Sequence, residues 1–211
     1  MSFLLCRPNF DFLRANQVMI MNIIEKLPVS FIVRPSPFGM FAVLWEYYRG
    51  QPKICRVLLS KPGLPAEEAV KKQHPGIESS GCGEIGKVAD EIEAFLQGED
   101  VSFSLDKTRL DTCSVFQQEV LRAEHGIPRG HVSTYQRIAG HLGRPTSARA
   151  VGMALATNPF PIIIPCHRAI RSDGSLGGYQ GGLDMKRKLL EMEGIIVTDT
   201  GCVSTNKHFY L

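Results

Sequence analysis

Cys166 and His167 stand side by side in Pro165-Cys166-His167-Arg168, which follows the apolar run Phe160-Pro161-Ile162-Ile163-Ile164. A thiol attacks carbon only as its thiolate, and a neighbouring imidazole or guanidinium favours that form. Glu193 closes a helical-looking stretch over residues 184–193, so a thiol, an imidazole and a carboxylate are available for one hydrogen-bonded relay. Such a relay predicts a transfer rate that depends on an ionisation below the roughly 8.5 of a free thiol. The same residues also admit a plainer reading. Adjacent side chains usually point apart, and free cysteine is among the most buried residue types, so Cys166 also reads as a small buried hydrophobe beside a loop histidine.

The elements that must position these groups fall into two unlike halves. Residues 41–48 and 54–59 are β-rich runs around a turn at 49–52, which reads as a hairpin. Residues 85–96 carry Ile85, Val88, Ala89, Ile92 and Leu96 at helical spacing. Residues 101–105 alternate and read as a strand, and 107–112 are polar and patternless, a linker. Beyond it the pattern turns helical, with Val115, Phe116, Val120 and Leu121 on one face over 115–125. Ser133-Thr134-Tyr135-Gln136 reads as a capping box, with Ser133 as N-cap and Gln136 at N3. The helix it opens is turned by Gly143-Arg144-Pro145. A second helix, capped by Thr146 or Ser147, runs to the stop at Asn158-Pro159. Two short helices joined by a Gly-containing turn fit a helix-turn-helix, and equally an ordinary helical hairpin. The division expected is an extension at 1–28, an α/β domain at 29–106, the linker, and a mostly helical domain at 113–211.

Composition narrows the class. The chain has 211 residues, 44% hydrophobic and 21% charged, which suits a folded domain or two. No apolar run reaches the roughly 20 residues of a membrane span, and the start lacks a secretory h-region. The expected setting is intracellular, cytoplasmic or nuclear, with no membrane partner. The six cysteines are widely spaced and form no CxxC pair. A metal site would have to be assembled from scattered residues such as Cys6, Cys55 and His74, and none is expected. Residues 107–195 hold 12 Lys and Arg against 7 Asp and Glu, whereas residues 1–106 hold 11 against 13. The second half is therefore the candidate nucleic-acid face.

Two blocks settle between these readings. Asn158-Pro159-Phe160-Pro161-Ile162-Ile163-Ile164-Pro165-Cys166-His167-Arg168 and Gly177-Gly178-Tyr179-Gln180-Gly181-Gly182-Leu183 resemble the O6-alkylguanine-DNA alkyltransferases, over about residues 114–194. The resemblance implies a small ribonuclease-H-like α/β domain followed by a helical domain with a helix-turn-helix. It implies a DNA-repair protein, consumed in one turnover, that moves an alkyl group irreversibly from O6-alkylguanine, or O4-alkylthymine, to Cys166 without cofactor. Glu193 would orient His167, and His167 would take the thiol proton through a water. Tyr135 would protonate the leaving guanine, and Asn158 would brace the turn that holds the cysteine. Arg149 would fill the gap left by a base flipped out of the stack, with Ser147 and Ala148 beside it on a helix entering the minor groove. Tyr179, the backbone N–H of Gln180 and the backbone oxygen of Ala169 would line the base pocket. Gln180 and Ala169 depart from the residues usual at their positions, and Arg168 reads as structural. The expected partner is double-stranded DNA bound by a monomer.

Three other readings use the same residues: a lesion binder without transfer, a helix-turn-helix regulator that senses alkylation, and a Cys-His hydrolase. Cys166 argues against the first, the absence of a visible effector module against the second, and the lack of an oxyanion-hole signal against the third.

Overall fold

The computed structural model describes residues 29–210. The expected extension at 1–28 lies outside these residues. The chain opens with a four-stranded sheet in the order β3-β2-β1-β4. Strands β1 (Ser30–Arg34), β2 (Phe41–Tyr48) and β3 (Gln51–Leu59) are antiparallel, and the short β4 (Glu78–Ser79) runs parallel to β1. The hairpin turn is tighter than the four residues expected. Tyr48 pairs with Gln51, and Arg49 and Gly50 both take positive φ, 51° and 75°. Two left-handed residues make a type I′ turn, whose twist matches the flanking strands.

Central strand β2 is buried on both faces over Phe41–Trp45, which explains the unbroken apolar run there. Ala42 and Leu44 pack with Phe31 against Ala66 and Val70 of α1 (Ala66–Gln73). Phe41, Val43 and Trp45 join the main core with Ile85, Ala89 and Ile92 of α2 (Gly83–Leu96). Strand β3 is an edge, and its free backbone groups are covered rather than exposed. Ile54 N–H donates to Lys107 O and Ile54 O accepts from Arg109 N–H, while Val57 N–H donates to Pro159 O at 2.8 Å. The polar stretch 107–112 thus lies along β3, and Leu110 within it is buried.

Residues 101–105 are not a strand. Their alternation does put Val101, Phe103 and Leu105 against the core, but no neighbouring strand takes up their backbone. Instead Phe103 O accepts from the His125 ring at 2.8 Å. Side-chain period reports which face is buried, and pairing needs a partner that period cannot see.

The remaining chain is mostly helical. Helix α3 (Val115–His125) is capped by Ser114, whose hydroxyl accepts from Gln117 N–H. Val115, expected inward, is 73% exposed at the helix start. Helices α4 (Tyr135–His141) and α5 (Ala148–Ala156) form the helix-turn-helix pair. The capping box is displaced by one residue. Thr134, not Ser133, caps α4 by accepting from Arg137 N–H at 3.1 Å. Ser133 belongs to β5 (Ser133–Thr134), which pairs in parallel with β6 (Ala169–Ile170), and its hydroxyl donates to Phe209 O. Tertiary strand pairing took the serine that local sequence would have used as a cap. Helix α6 (Leu183–Met192) and the short β7 (Ile196–Val197) and β8 (Val203–Ser204) complete the fold.

Candidate active site

The apolar run before the cysteine is a turn, not a strand. Ile162 is buried yet has φ of 75°, an outlier for a β-branched residue. Such backbone costs about 1–3 kcal/mol and persists only where neighbours over-determine it. Asn158 does so here. Its side-chain NH2 donates to Ile164 O at 3.1 Å and its carbonyl oxygen accepts from Phe160 N–H at 2.9 Å, so one buried amide spans the turn. The grip of β3 on Pro159 holds the same turn from the other side. Cys166 then begins a single 3-10 turn, Cys166–Arg168.

Behind it one contact of the expected relay is formed, between His167 and Glu193. His167 is fully buried, and its Nε2 lies 2.8 Å from Glu193 Oε1. Nδ1 of the same ring is buried without a partner. A carboxylate only accepts, so Nε2 carries the hydrogen and Nδ1 presents its lone pair. Burial pulls the His167 pKa down, against the pull of Glu193, so the ring rests neutral. Burial alone would raise the Glu193 carboxyl, but His167 and Arg168 outweigh it and hold it at about 2.

Arg168 has a larger part than its structural reading assigned. It bonds the Glu193 carboxylate in a bidentate fork, with Nε to Oε2 at 2.9 Å and Nη2 to Oε1 at 2.8 Å, and gives Nη1 to Ile127 O. The carboxylate is thus locked as an anion while His167 stays neutral. The sequence signal was the adjacency of an arginine to the Cys-His pair, but one residue offset hides which side chain it meets.

The resting thiol titrates above the roughly 8.5 of a free cysteine. Burial pushes Cys166 up to about 11, with Asn158 opposing and Glu124 adding to the rise. At neutral pH the resting thiol keeps its proton.

Cys166 lies in a cleft of about 260 Å³ also lined by Tyr135, Gly152, Leu155, Ala156, Gly178, Tyr179, Gln180 and Lys61. Tyr135 is the first residue of α4, and burial pushes its hydroxyl up to about 12, so it remains a donor. Gly177, at φ of 68°, lets the loop pass over this tyrosine, because a Cβ there would stand 2.6 Å from Tyr135 Oη. The Tyr179 ring meets His167 edge-on at 6.3 Å, and its buried hydroxyl has no partner. Gln180 is pinned by its side-chain amide to Asn158 O at 2.6 Å.

Four expected residues lie elsewhere. Ala169 is fully buried outside the cleft lining, and its carbonyl accepts from Lys186 Nζ at 2.6 Å. Arg149, Ser147 and Ala148 sit at the start of α5, where Arg149 is exposed and Ser147 occupies the cap position without a side-chain cap bond.

Sequence reading missed two buried charges beneath the site. Lys186 donates to Ala169 O, Leu176 O and Gly178 O, tying β6 to the glycine loop. Glu124 on α3 is wholly buried with both oxygens unbonded, and burial raises it to about 8. Both sit at positions where helical period predicts only a face, so nothing in the sequence signals their burial. Among the described residues no group of three or more His, Cys, Asp and Glu is placed to hold a metal, and no helix is long and apolar enough to cross a membrane.

Comparisons with known proteins bear on this geometry. Residues 115–195 match the family model described as 6-O-methylguanine DNA methyltransferase, DNA binding domain. A methylated-DNA–protein-cysteine methyltransferase from Methanothermobacter thermautotrophicus is 46% identical over 128 residues, 61% of this chain and 70% of that one. One of the same name from Salmonella typhimurium is 34% identical over 167 residues, 79% of this chain and 90% of that one. Among solved structures, the Mycobacterium tuberculosis O6-methylguanine methyltransferase is 32% identical with a TM-score of 0.61, covering 79% of this chain and 93% of that one. The M. tuberculosis OGT in complex with DNA is 31% identical with a TM-score of 0.62, covering 78% and 92%.

Proposed function

We propose, since this chain belongs to the methylated-DNA–protein-cysteine methyltransferase family, that Cys166 is the residue onto which it draws alkyl groups from DNA. The protein repairs DNA by transferring the lesion's alkyl group to a cysteine, and DNA is its partner. The observation that carries the assignment to Cys166 is a thiol lining the cleft, followed in the chain by a His167 that Glu193 fixes and whose Nδ1 is unpartnered.

The chemistry follows from protonation states. A thiol at about 11 is a poor nucleophile at rest. His167 Nδ1 takes its proton through a water as the substrate arrives, and Glu193 stabilises the imidazolium formed. Sγ then forms a bond to the alkyl carbon while the bond from that carbon to guanine O6 breaks. The departing guanine takes a proton at N3 from Tyr135. Thioether and free guanine are the products, and no electron donor or cofactor enters the balance. The thioether is not reversed, so one chain acts once.

A guanine must leave the stack to reach a buried thiol. Tyr179 and the backbone of Gln180 form its wall, and Arg149 on α5 takes its place in the duplex. Entry is from the minor groove, which the small residues Ala148, Ala150 and Gly152 suit, and the chain acts as a monomer. Residues 113–211 are the transfer domain and 29–106 its support, with 107–112 between them.

Intact mass after incubation with a duplex containing one O6-methylguanine tests the assignment. A single methyl adduct per chain, mapped to Cys166 and abolished in Cys166→Ser with DNA affinity within about twofold, is expected, since phosphate contacts supply most of the binding. Methylation of the Cys166→Ser chain would overturn it.

A further inference from the structure

One wall of the cleft comes from outside the stretch that matches the family model: Lys61 lines it beside Cys166, Tyr135 and Gln180. The residue is held in place by its backbone. Lys61 and Leu64 exchange two backbone hydrogen bonds, 3.0 and 2.9 Å, across Pro62-Gly63. Gly63 has φ of 74°, and proline followed by a left-handed glycine makes a type II turn. Ser60 locks its base, donating to Met40 O and accepting from Ala66 N–H. A rigid turn on the sheet therefore presents a lysine to a cleft built by the helical region.

The lysine's chemistry is unspent. It is exposed, and its ammonium has no hydrogen bond or ion pair among the described residues. It is the single charged residue lining the cleft. The adjoining groove is mixed, with Lys61 and Lys188 facing Glu68 and Asp184. A nucleotide whose base reaches Cys166 brings its phosphates to the mouth, where the other lining residues supply no cation.

We propose that Lys61 is a substrate-binding residue, contacting a backbone phosphate at or next to the extruded nucleotide, so that the sheet region takes part in DNA recognition. This rests on the transfer reading above. The test uses the full chain with two substrates, a duplex carrying one O6-methylguanine and the nucleoside O6-methyl-2′-deoxyguanosine, which has no phosphate. Lys61→Ala slows transfer from the duplex roughly tenfold and leaves the nucleoside rate within about twofold. The slope of log binding constant against log salt falls by about 0.9, and Lys61→Arg restores both. Equal slowing with the two substrates, or an unchanged duplex rate and salt slope, overturns the proposal. A parent chain that alkylates itself from neither substrate overturns the transfer reading, and the salt slope then decides on Lys61 alone.

Discussion

Residues 29–112 and residues 113–210 bury very different interiors. Of the buried polar side chains, only Thr108 belongs to the first region, whereas Glu124, Ser133, Thr134, Asn158, His167, Arg168, Lys186 and Glu193 all lie in the second. The sheet region is held by apolar strands and helices packed on both faces. The helical region carries five buried ionisable groups and a strained Ile162 around one thiol. Burying an ion costs several kcal/mol even after relaxation unless it is well paired. A region that keeps such groups is arranged for chemistry at the expense of stability, and the sheet region, through β3, stiffens the turn that holds the thiol.

That contrast can be broken most sharply at Glu193. Glu193→Gln slows transfer about 100-fold, the lower range for losing acid–base assistance, because His167 loses the anion that stabilises its charged form. The parent's rate falls as His167 protonates below its ordinary 6.5, and the variant's acid limb moves to still lower pH. Single-turnover rates across pH 5–9 check this. Stability falls too, by about 3 kcal/mol at pH 7, read by urea unfolding. The folded pKa of about 2 lies below the ordinary 4.5. The stabilisation is therefore complete above about pH 4.5 and is lost as pH falls toward 2.

Glu124 gives the opposite sign. Its folded pKa of about 8 lies above 4.5, so the folded chain holds a proton that the unfolded chain releases. Stability from this group is full below pH 4.5 and declines as pH rises toward 8. Glu124→Gln removes the decline. Between pH 5 and pH 8 the difference in unfolding free energy shifts in the variant's favour by roughly 3–4 kcal/mol. A shift the other way would mean that Glu124 is ionised and supports Lys186.

Arg149→Ala sharpens the split between holding DNA and doing chemistry. An exposed residue at the start of α5 touches neither thiol nor relay, so transfer from duplex falls about tenfold while transfer from the free nucleoside is unchanged. Equal losses would place Arg149 in folding or in the pocket. The smallest effect is expected from removing residues 1–28. The transfer rate stays within about twofold, because these residues lie outside the resemblance and lack the period of a core element. A tenfold loss with circular dichroism unchanged would give them a part in the site.

Much of the site was legible before the fold. Cys166, His167 and Glu193 were readable through the resemblance, since their spacing alone left a buried hydrophobe beside a loop histidine open, and the helices around Tyr135 and Arg149 because apolar period marks a buried face. Local signals failed where another segment competed. Ser133 was taken from its cap by β6, and residues 101–105 alternate with no strand to pair with. The raised Cys166 pKa was not legible either, since burial outweighs proximity to a neutral histidine.

Sequence by itself determined the chemistry available to this protein: a thiol, an imidazole, a carboxylate and a phenol in fixed order, on elements whose periods specify strand or helix. Tertiary structure alone decided their protonation. Whether Arg168 meets Glu193, whether Glu124 and Lys186 share an interior, and whether Lys61 reaches the cleft depend on distances between segments far apart in the chain. Coulomb and desolvation energies are set by those distances and by the loss of water around them, and residue order encodes them only through the fold.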